Sequence, residues 1–317
     1  MPLTAARRRA AKHRRLARLG GGRAAGAGRA RGAAGGTVKS LPRARVTEPH
    51  AIDFHLRTCV DAATAGGRVL MDYWGKRRAY AVEEKGRNDF VTAVDREAEE
   101  AVVRLVRERF PDHAISAEES APSQGTEGKA GYRWYIDPLD GTTNFTHGYP
   151  LFAVSVGLAD AQGMRAGAIL DPVRGEMFTA ARGLGAFLND APIRVSSTAK
   201  IEQGLLVTGI PFRSLGRIEE YLESFRAFMR TSSGIRRDGS AALDLAYVAC
   251  GRYDGFWEMA LSSWDVAAGS LLVNEAGGVV TDFQGRGAWL ETGDIIAATP
   301  LVHPAMERVV REAFHRS

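Results

Sequence analysis

Apolar residues recur at three- and four-residue steps over two stretches in the first part of the chain. The first stretch is residues 49–74 and the second runs from Ala98 to Phe110, and this spacing predicts two amphipathic helices. Asp95 stands where the N-cap of the second helix belongs, and Pro111 closes that helix. Between the helices, Phe90-Val91-Thr92 is typical of an extended segment.

From residue 113 onward the pattern changes to short extended runs separated by Gly, Pro and Asp, which indicates a sheet. The predicted strands here are 113–117, 133–136, 152–158, 164–170 and 176–180. Later segments alternate, with helices over 218–229, 241–249, 265–276 and from Pro304, and strands over 235–237, 255–258, 279–283 and 295–299. Sheets covered by helices predict a layered α/β body.

Composition divides the chain into a basic tail and an acidic body. Residues 1–47 contain 13 Lys and Arg and no acid, so the other 29 bases face all 37 acids in residues 48–317. At 317 residues with 45% hydrophobic and 25% charged positions, the chain is typical of globular proteins, and the body fits one large domain or two tightly joined halves. The formal net charge of +5 is therefore the sum of +13 in the tail and about −8 in the body.

The tail, residues 1–47, is rich in Arg, Ala and Gly without an apolar period, which predicts disorder. Three interpretations remain open: a solvated tail or misplaced translation start, with Val46 as an alternative start; a nucleic-acid-binding arm; or an organelle transit peptide. No apolar stretch of about 18 residues and no signal-peptide core are present, so we predict neither a membrane span nor secretion. Cys59 and Cys250 are expected to be reduced core residues of a cytoplasmic protein.

The segment Trp134 to Phe145 carries two acids at short spacing, Asp137 and Asp140. A strand ending at Ile136 would place Asp137 at its edge, and the turn at Pro138 would fold Asp140 back beside it. Two adjacent carboxylates repel each other, so a cation between them is the natural arrangement. Magnesium is usually held by a few carboxylates, waters and substrate phosphate, and the Leu139 carbonyl is placed to add a further oxygen.

Other features of the chain extend this cluster. Gly141 and the residues up to Asn144 can begin a helical turn whose backbone N–H groups meet an anion. Asp265 opens a helix, where dipole compensation alone would explain an acid. Considered with Asp137, Asp140 and Glu118, however, it favours a phosphatase site with two metal ions, because such sites draw carboxylates from separate elements.

Five stretches in order resemble the inositol monophosphatase family and, within it, the bacterial SuhB-type branch. They are Asp89 to Asp95, Ala117 to Ser120, Trp134 to Phe145, Gly239 to Val248, and Trp264 to Gly278. The resemblance covers residues from about 50 to 310. It implies an αβαβα sandwich, a homodimer, and lithium-sensitive hydrolysis of myo-inositol 1-phosphate with two or three Mg²⁺ ions.

The resemblance also implies a role for each matching residue. Glu118, Asp137 and the Leu139 carbonyl would bind the magnesium ion that activates the attacking water. Asp137, Asp140 and Asp265 would bind a second ion, and Glu118 also a weaker third. Thr142, paired with Asp95, would orient the water and help to deprotonate it. The substrate-binding residues would be Asp140, Gly141, Thr142, Gly239, Ser240, Ala241, Glu258 and Asp265.

Several alternatives remain open on the sequence. Glu258 could be a solvated acid at a strand end, and the segment at Gly239 an ordinary helix start. Phosphatases of the same superfamily that act on 3′,5′-bisphosphonucleotides, fructose 1,6-bisphosphate or histidinol phosphate would share the metal residues. An RNA or transcription-antitermination role, through the basic tail or a SuhB-like surface, is a hypothesis of a different class.

Overall fold

The structure is a computed structural model that describes residues 54–76, 82–86, 89–120, 131–212 and 214–314. The predictions for the tail, residues 1–47, lie outside the described residues. So does the beginning of the first predicted helix.

The described residues form eight α-helices, and most of them bury one apolar face. The long helices of the N-terminal half match the predicted pattern, with Leu56, Cys59 and Ala63 on the buried side of the first. The helices are α1 (Phe54–Tyr73), α2 (Ala93–Arg109), α3 (Thr142–His147), α4 (Ile218–Thr231), α5 (Ala241–Ala249), α6 (Ser263–Glu275), α7 (Trp289–Thr292) and α8 (His303–Phe314).

The described part of the chain also forms fourteen strands. Those predicted from residue 113 onward are present, while three further strands between residues 185 and 208 were not predicted. The strands are β1 (Val82–Gly86), β2 (Asp89–Thr92), β3 (Ala114–Ala117), β4 (Arg133–Asp140), β5 (Ala153–Asp160), β6 (Gly163–Asp171), β7 (Glu176–Ala181), β8 (Gly185–Leu188), β9 (Ala191–Ile193), β10 (Leu205–Thr208), β11 (Gly234–Arg236), β12 (Gly255–Glu258), β13 (Val279–Thr281) and β14 (Ile295–Ala298).

Two large mixed sheets and one hairpin organise these strands. The seven-stranded sheet follows chain order from β3 to β9, and only its β3–β4 pair is parallel. The five-stranded sheet has the order β11-β10-β12-β14-β13. Strands β1 and β2 form a separate antiparallel hairpin.

Helices cover both sheets and fill the space between them. Helices α1 and α2 pack on one face of the seven-stranded sheet, α5 and α6 lie between the sheets, and α4 and α8 cover the outer face of the five-stranded sheet. Helix α5 is buried along its whole length, as expected of a helix enclosed by sheets. The predicted αβαβα sandwich is confirmed.

The two cysteines lie at different depths. Cys59 is in the core, as predicted, whereas Cys250 is half-buried against it, and within the described residues the two form no disulfide. Within the described ranges, the helices are all too short or too polar to cross a membrane.

A histidine in the α1–α2 layer predicts a pH-dependent stability. His113 stacks on Phe110 and Tyr132, and its Nδ1 accepts a hydrogen bond from the Trp134 indole at 3.0 Å. Burial, and then the neighbouring His55, lower the pKa of His113. The folded state therefore prefers the neutral ring. Its stabilising contribution is present above the unfolded pKa of about 6.5 and is lost as the pH falls through the lower folded pKa.

We expect His113→Gln, which keeps a hydrogen-bond acceptor without titrating, to weaken the fall in melting temperature between pH 8 and pH 5. Thermal unfolding followed by circular dichroism at both pH values measures this difference. His147→Gln, at an exposed histidine of α3, is the matched control and should leave the pH dependence unchanged. Equal pH dependence in wild type and His113→Gln would contradict the assignment.

Candidate active site

The site is built around the end of β4, where two acids, Asp137 and Asp140, lie on either side of an irregularity in strand pairing. The strand was expected to end at Ile136. Instead it continues to Asp140, with a shift of register against β5 between Asp137 and Asp140. The shift lets both acids turn inward, and they are 2% and 9% exposed. The Leu139 N–H donates to Asp137 Oδ1 at 3.0 Å, which stabilises the tight turn.

Gly141 makes the transition from β4 to α3. Its φ of +97° lies in the left-handed region, which strongly favours glycine. A Cβ at this position would also lie 3.2 Å from the carbonyl oxygens of Gly239 and Leu151. The predicted helical turn is confirmed, since α3 begins at Thr142.

Thr142 connects the first turn of α3 to helix α2. Its Oγ1 lies 3.0 Å from Asp95 Oδ1 and 3.1 Å from the Leu139 carbonyl oxygen, so its single proton can be donated to either. Asp95 is 1% exposed. The expectation that Asp95 is an N-cap was wrong, because α2 begins two residues earlier at Ala93 and its first turn already contains Asp95.

Asp140 is held by the start of α5. Its Oδ2 accepts hydrogen bonds from the Ser240 hydroxyl at 2.6 Å and from the Ala242 N–H at 2.7 Å. The Ser240 side chain also caps α5 by accepting from the Leu243 N–H. The segment predicted to bind substrate therefore orients an acid of the cluster as well.

Asn144 fastens the same two segments from the other side. Its Nδ2 donates to the carbonyl oxygens of Leu151 at 2.7 Å and Asp238 at 2.9 Å. The loop before α5 is thereby tied to α3 and to the loop that follows α3.

Asp265 and Glu118 reach the site from two other elements. Asp265 is the third residue of α6, and its Oδ2 accepts from the Ser262 N–H at 2.7 Å in a capping box. It therefore has the helix-start role as well as a place in the cavity wall. Glu118 directly follows β3, where its N–H donates to the Ile136 carbonyl at 3.2 Å.

Glu99 holds the segment that carries Glu118, and sequence reasoning missed it. Its buried carboxylate, one turn after Asp95 on α2, accepts from the Glu119 N–H at 2.7 Å and from the Ser120 hydroxyl. One helix face thus positions both the Thr142 hydroxyl and the Glu118 segment. An acid within a charged helical run is indistinguishable by sequence from a solvated one.

The acids of the site interact electrostatically. Burial raises the pKa of Asp137 well above its usual range, and Glu118, Asp140 and Asp265 raise it further. Four carboxylates converging in this way form an oxygen donor set that fits a hard divalent cation. Within the described ranges, however, no three acidic, His or Cys side chains are arranged as a ready-made metal cluster. Three of the acids, Asp137, Asp140 and Asp265, instead direct one oxygen at a backbone N–H group.

A cavity of about 360 Å³ joins these residues to a second group of side chains. Asp95 does not line this cavity and lies behind Thr142. The other predicted site residues all line it, namely Glu118, Asp137, Leu139, Asp140, Gly141, Thr142, Gly239, Ser240, Ala241, Glu258 and Asp265.

The second half of the cavity is formed around Glu258. Burial, followed by the charge of Asp265, raises the pKa of Glu258 to about 8, while Arg237 acts in the opposite direction. The guanidinium of Arg237 lies 5.5 Å from the ring centroid of Phe212. Sequence reasoning missed Arg237, Phe212 and Asp244 as cavity residues, although Asp244 lies inside one of the five matching stretches.

Residues 53–316 match the description "Inositol monophosphatase family". The chain is 48% identical over 244 residues to a Nus factor SuhB of Pseudomonas aeruginosa, covering 76% of this chain and 90% of that protein. It is 40% identical over 266 residues to an inositol-1-monophosphatase of Synechocystis, covering 84% of this chain and 91% of that one.

A solved structure agrees with these comparisons. The crystal structure of the extragenic suppressor protein SuhB from Bartonella henselae superposes with a TM-score of 0.77 at 42% identity. The match covers 81% of this chain and 98% of that structure.

Proposed function

We propose that this chain, which belongs to the inositol monophosphatase family, is a Mg²⁺-dependent phosphomonoesterase that hydrolyses myo-inositol 1-phosphate and related polyol or sugar phosphates. The observation that carries the proposal is the convergence of Asp137 with Glu118, Asp140 and Asp265 in one cavity. A relative of 40% identity is named inositol-1-monophosphatase, which supports this substrate class.

In the proposed enzyme, Glu118, Asp137, the Leu139 carbonyl, Asp140 and Asp265 hold magnesium. When bound, magnesium neutralises phosphate charge and activates water at neutral pH. The bonds from Ser240 and Ser262 hold Asp140 and Asp265 in place, so these acids lose little further freedom on binding. Phosphoryl transfer depends mainly on positioning and charge neutralisation, so the proposed reaction requires no Ser, Cys or His nucleophile.

Thr142 and Asp95 orient the attacking water and accept its proton. The Thr142 hydroxyl accepts a hydrogen bond from the water while donating its own proton to Asp95 Oδ1, 3.0 Å away. Asp95 is buried in the first turn of α2, so its carboxylate is held where it can accept this proton. This arrangement orients the water toward phosphorus and gives its proton a path into the protein.

A substrate panel tests the proposal. Phosphate release is measured with and without Mg²⁺ for myo-inositol 1-phosphate, fructose 1,6-bisphosphate, a 3′,5′-bisphosphonucleotide and histidinol phosphate. We expect Mg²⁺-dependent turnover with the highest kcat/KM for the inositol ester. A marked preference for a nucleotide bisphosphate would reject the substrate assignment, and inertness toward all four would reject the enzyme.

Gly209 offers a test of the part proposed for Glu258. A Cβ at Gly209 would overlap the Glu258 carboxylate, so Gly209→Ala must displace that carboxylate. We expect the KM for myo-inositol 1-phosphate to rise by about tenfold, because the hydrogen bond between Glu258 and a substrate hydroxyl is lost, with a smaller change in kcat. Steady-state kinetics measure both constants. Gly216→Ala, where a Cβ meets open space, is the control, and identical kinetics for the two variants would exclude Glu258 from substrate binding.

A second candidate function is a transcription-associated role, because the relative at 48% identity is named Nus factor SuhB. Such a role can coexist with catalysis. Asp137→Asn should abolish hydrolysis and spare an RNA or transcription contact, whereas deletion of residues 1–46 should do the reverse if the tail makes that contact. Equal loss of both functions in either variant would refute their separation.

A further inference from the structure

Asp244 is a buried acid of the cavity that the proposed chemistry leaves unused. It is 1% exposed and lines the same cavity as Glu258 and Asp140. Neither of its carboxylate oxygens has a hydrogen-bond partner among the described residues. Buried polar groups are nearly always hydrogen-bonded, so an exception in a cavity wall points to a partner that arrives with the ligand.

The position of Asp244 on α5 directs it toward the cavity. It follows Ser240 by four residues and Ala241 by three, and residues at these spacings share one face of a helix. Ser240 and Ala241 both line the cavity. Because the Ser240 hydroxyl is already bonded to Asp140, Asp244 is the polar side chain on this face that is left for a ligand.

The charges around Asp244 define the kind of ligand group it suits. Burial, followed by Asp238, Glu258 and Asp140, raises the pKa of Asp244 well above its usual range, with Arg237 opposing. A carboxyl that keeps its proton can both donate and accept a hydrogen bond, which matches an alcohol. The acidic neighbours disfavour a second phosphate at this position.

We propose that Asp244 is a further specificity-determining residue, which hydrogen-bonds one hydroxyl of the leaving alcohol while Glu258 binds another. The inference rests on the proposed phosphatase function and deepens it. It assigns the enzyme to phosphate esters of polyhydroxylated alcohols rather than to aryl or simple alkyl phosphates, because only the former bring a donor to the unpartnered carboxyl.

The test compares two esters in three enzymes. Wild type, Asp244→Leu and Asp244→Asn are assayed with myo-inositol 1-phosphate and with p-nitrophenyl phosphate, whose leaving group bears no additional hydroxyl. For Asp244→Leu we expect KM for the inositol ester to rise about tenfold while KM for the aryl ester stays within about twofold. Asp244→Asn can still donate and accept a hydrogen bond. Its KM for the inositol ester should therefore stay close to that of the wild type.

Singly deoxygenated inositol 1-phosphates identify the hydroxyl concerned. Removing this hydroxyl should raise the KM of the wild type about as much as Asp244→Leu does. It should not raise the KM of Asp244→Leu any further. If leucine prevents folding, as judged by thermal unfolding, Asp244→Ala supplies the same comparison.

The outcomes separate this inference from the function it rests on. Suppose that the wild type hydrolyses the inositol ester, but Asp244→Leu raises KM equally for both esters or for neither. This result overturns the role of Asp244 alone. Inertness of the wild type toward both esters overturns the proposed function and this role with it.

Discussion

Asp137→Asn is expected to lower the Mg²⁺-dependent hydrolysis of myo-inositol 1-phosphate by on the order of 10³-fold, equivalent to about 4 kcal/mol of transition-state stabilisation. Asp137 is the acid whose pKa all three other carboxylates of the cluster raise, and in the proposed site it would hold magnesium. The amide keeps the oxygen that accepts from the Leu139 N–H, so the turn should be preserved. Phosphate release at saturating Mg²⁺ measures the loss.

The same substitution should raise the melting temperature of the metal-free protein. A buried acid whose folded pKa lies above its unfolded value destabilises the fold above that folded pKa, and the penalty disappears as the pH falls toward the unfolded value of about 3.9. The gain in melting temperature from Asp137→Asn should therefore shrink on acidification. In addition, Mg²⁺ should raise the melting temperature of the wild type but not that of Asp137→Asn. Asp190→Asn, in an exposed turn, is the control. Undiminished Mg²⁺ stabilisation of Asp137→Asn would contradict the metal assignment.

The layered fold was predictable because long periodic segments dominate it. The bounds predicted for α5 and β12 coincide with those observed, since both segments are apolar and are bounded by polar or Gly-containing turns. The unpredicted strands β8 to β10 are three or four residues long, too short for an alternating pattern to stand out. Their pairing is decided by neighbouring strands rather than by their own composition.

The acids of the candidate site were also predictable, but their supports were not. Asp137 and Asp140 stand out because they share a short turn-rich segment. Glu99 and Asp244 belong to helices whose local pattern gives no hint of a long-range partner. Position 209 needs a glycine because β12 places the Glu258 carboxylate where a Cβ would lie. Such contacts arise when distant elements pack, so only the three-dimensional structure reveals them.

Thr142→Val is expected to lower kcat by roughly 10²-fold or more, while KM and the Mg²⁺ concentration at half-saturation change little. Valine keeps the branched shape but removes the hydroxyl between Asp95 and the Leu139 carbonyl. In the proposed mechanism, the attacking water would then have neither its acceptor nor a path for its proton. Because this interaction matters mainly in the transition state, the loss should fall on kcat.

Three further variants make this prediction specific. Thr142→Ser keeps the hydroxyl and should retain most activity, and Thr146→Val, on the same helix, should leave kcat unchanged. Asp95→Asn should lower kcat on its own. Adding it to Thr142→Val should lower kcat little further, because the two residues act as one unit. Additive losses in the double variant would instead mean that Thr142 and Asp95 contribute separately. In that case the buried 3.0 Å hydrogen bond between them would be a structural contact and not a route for the proton.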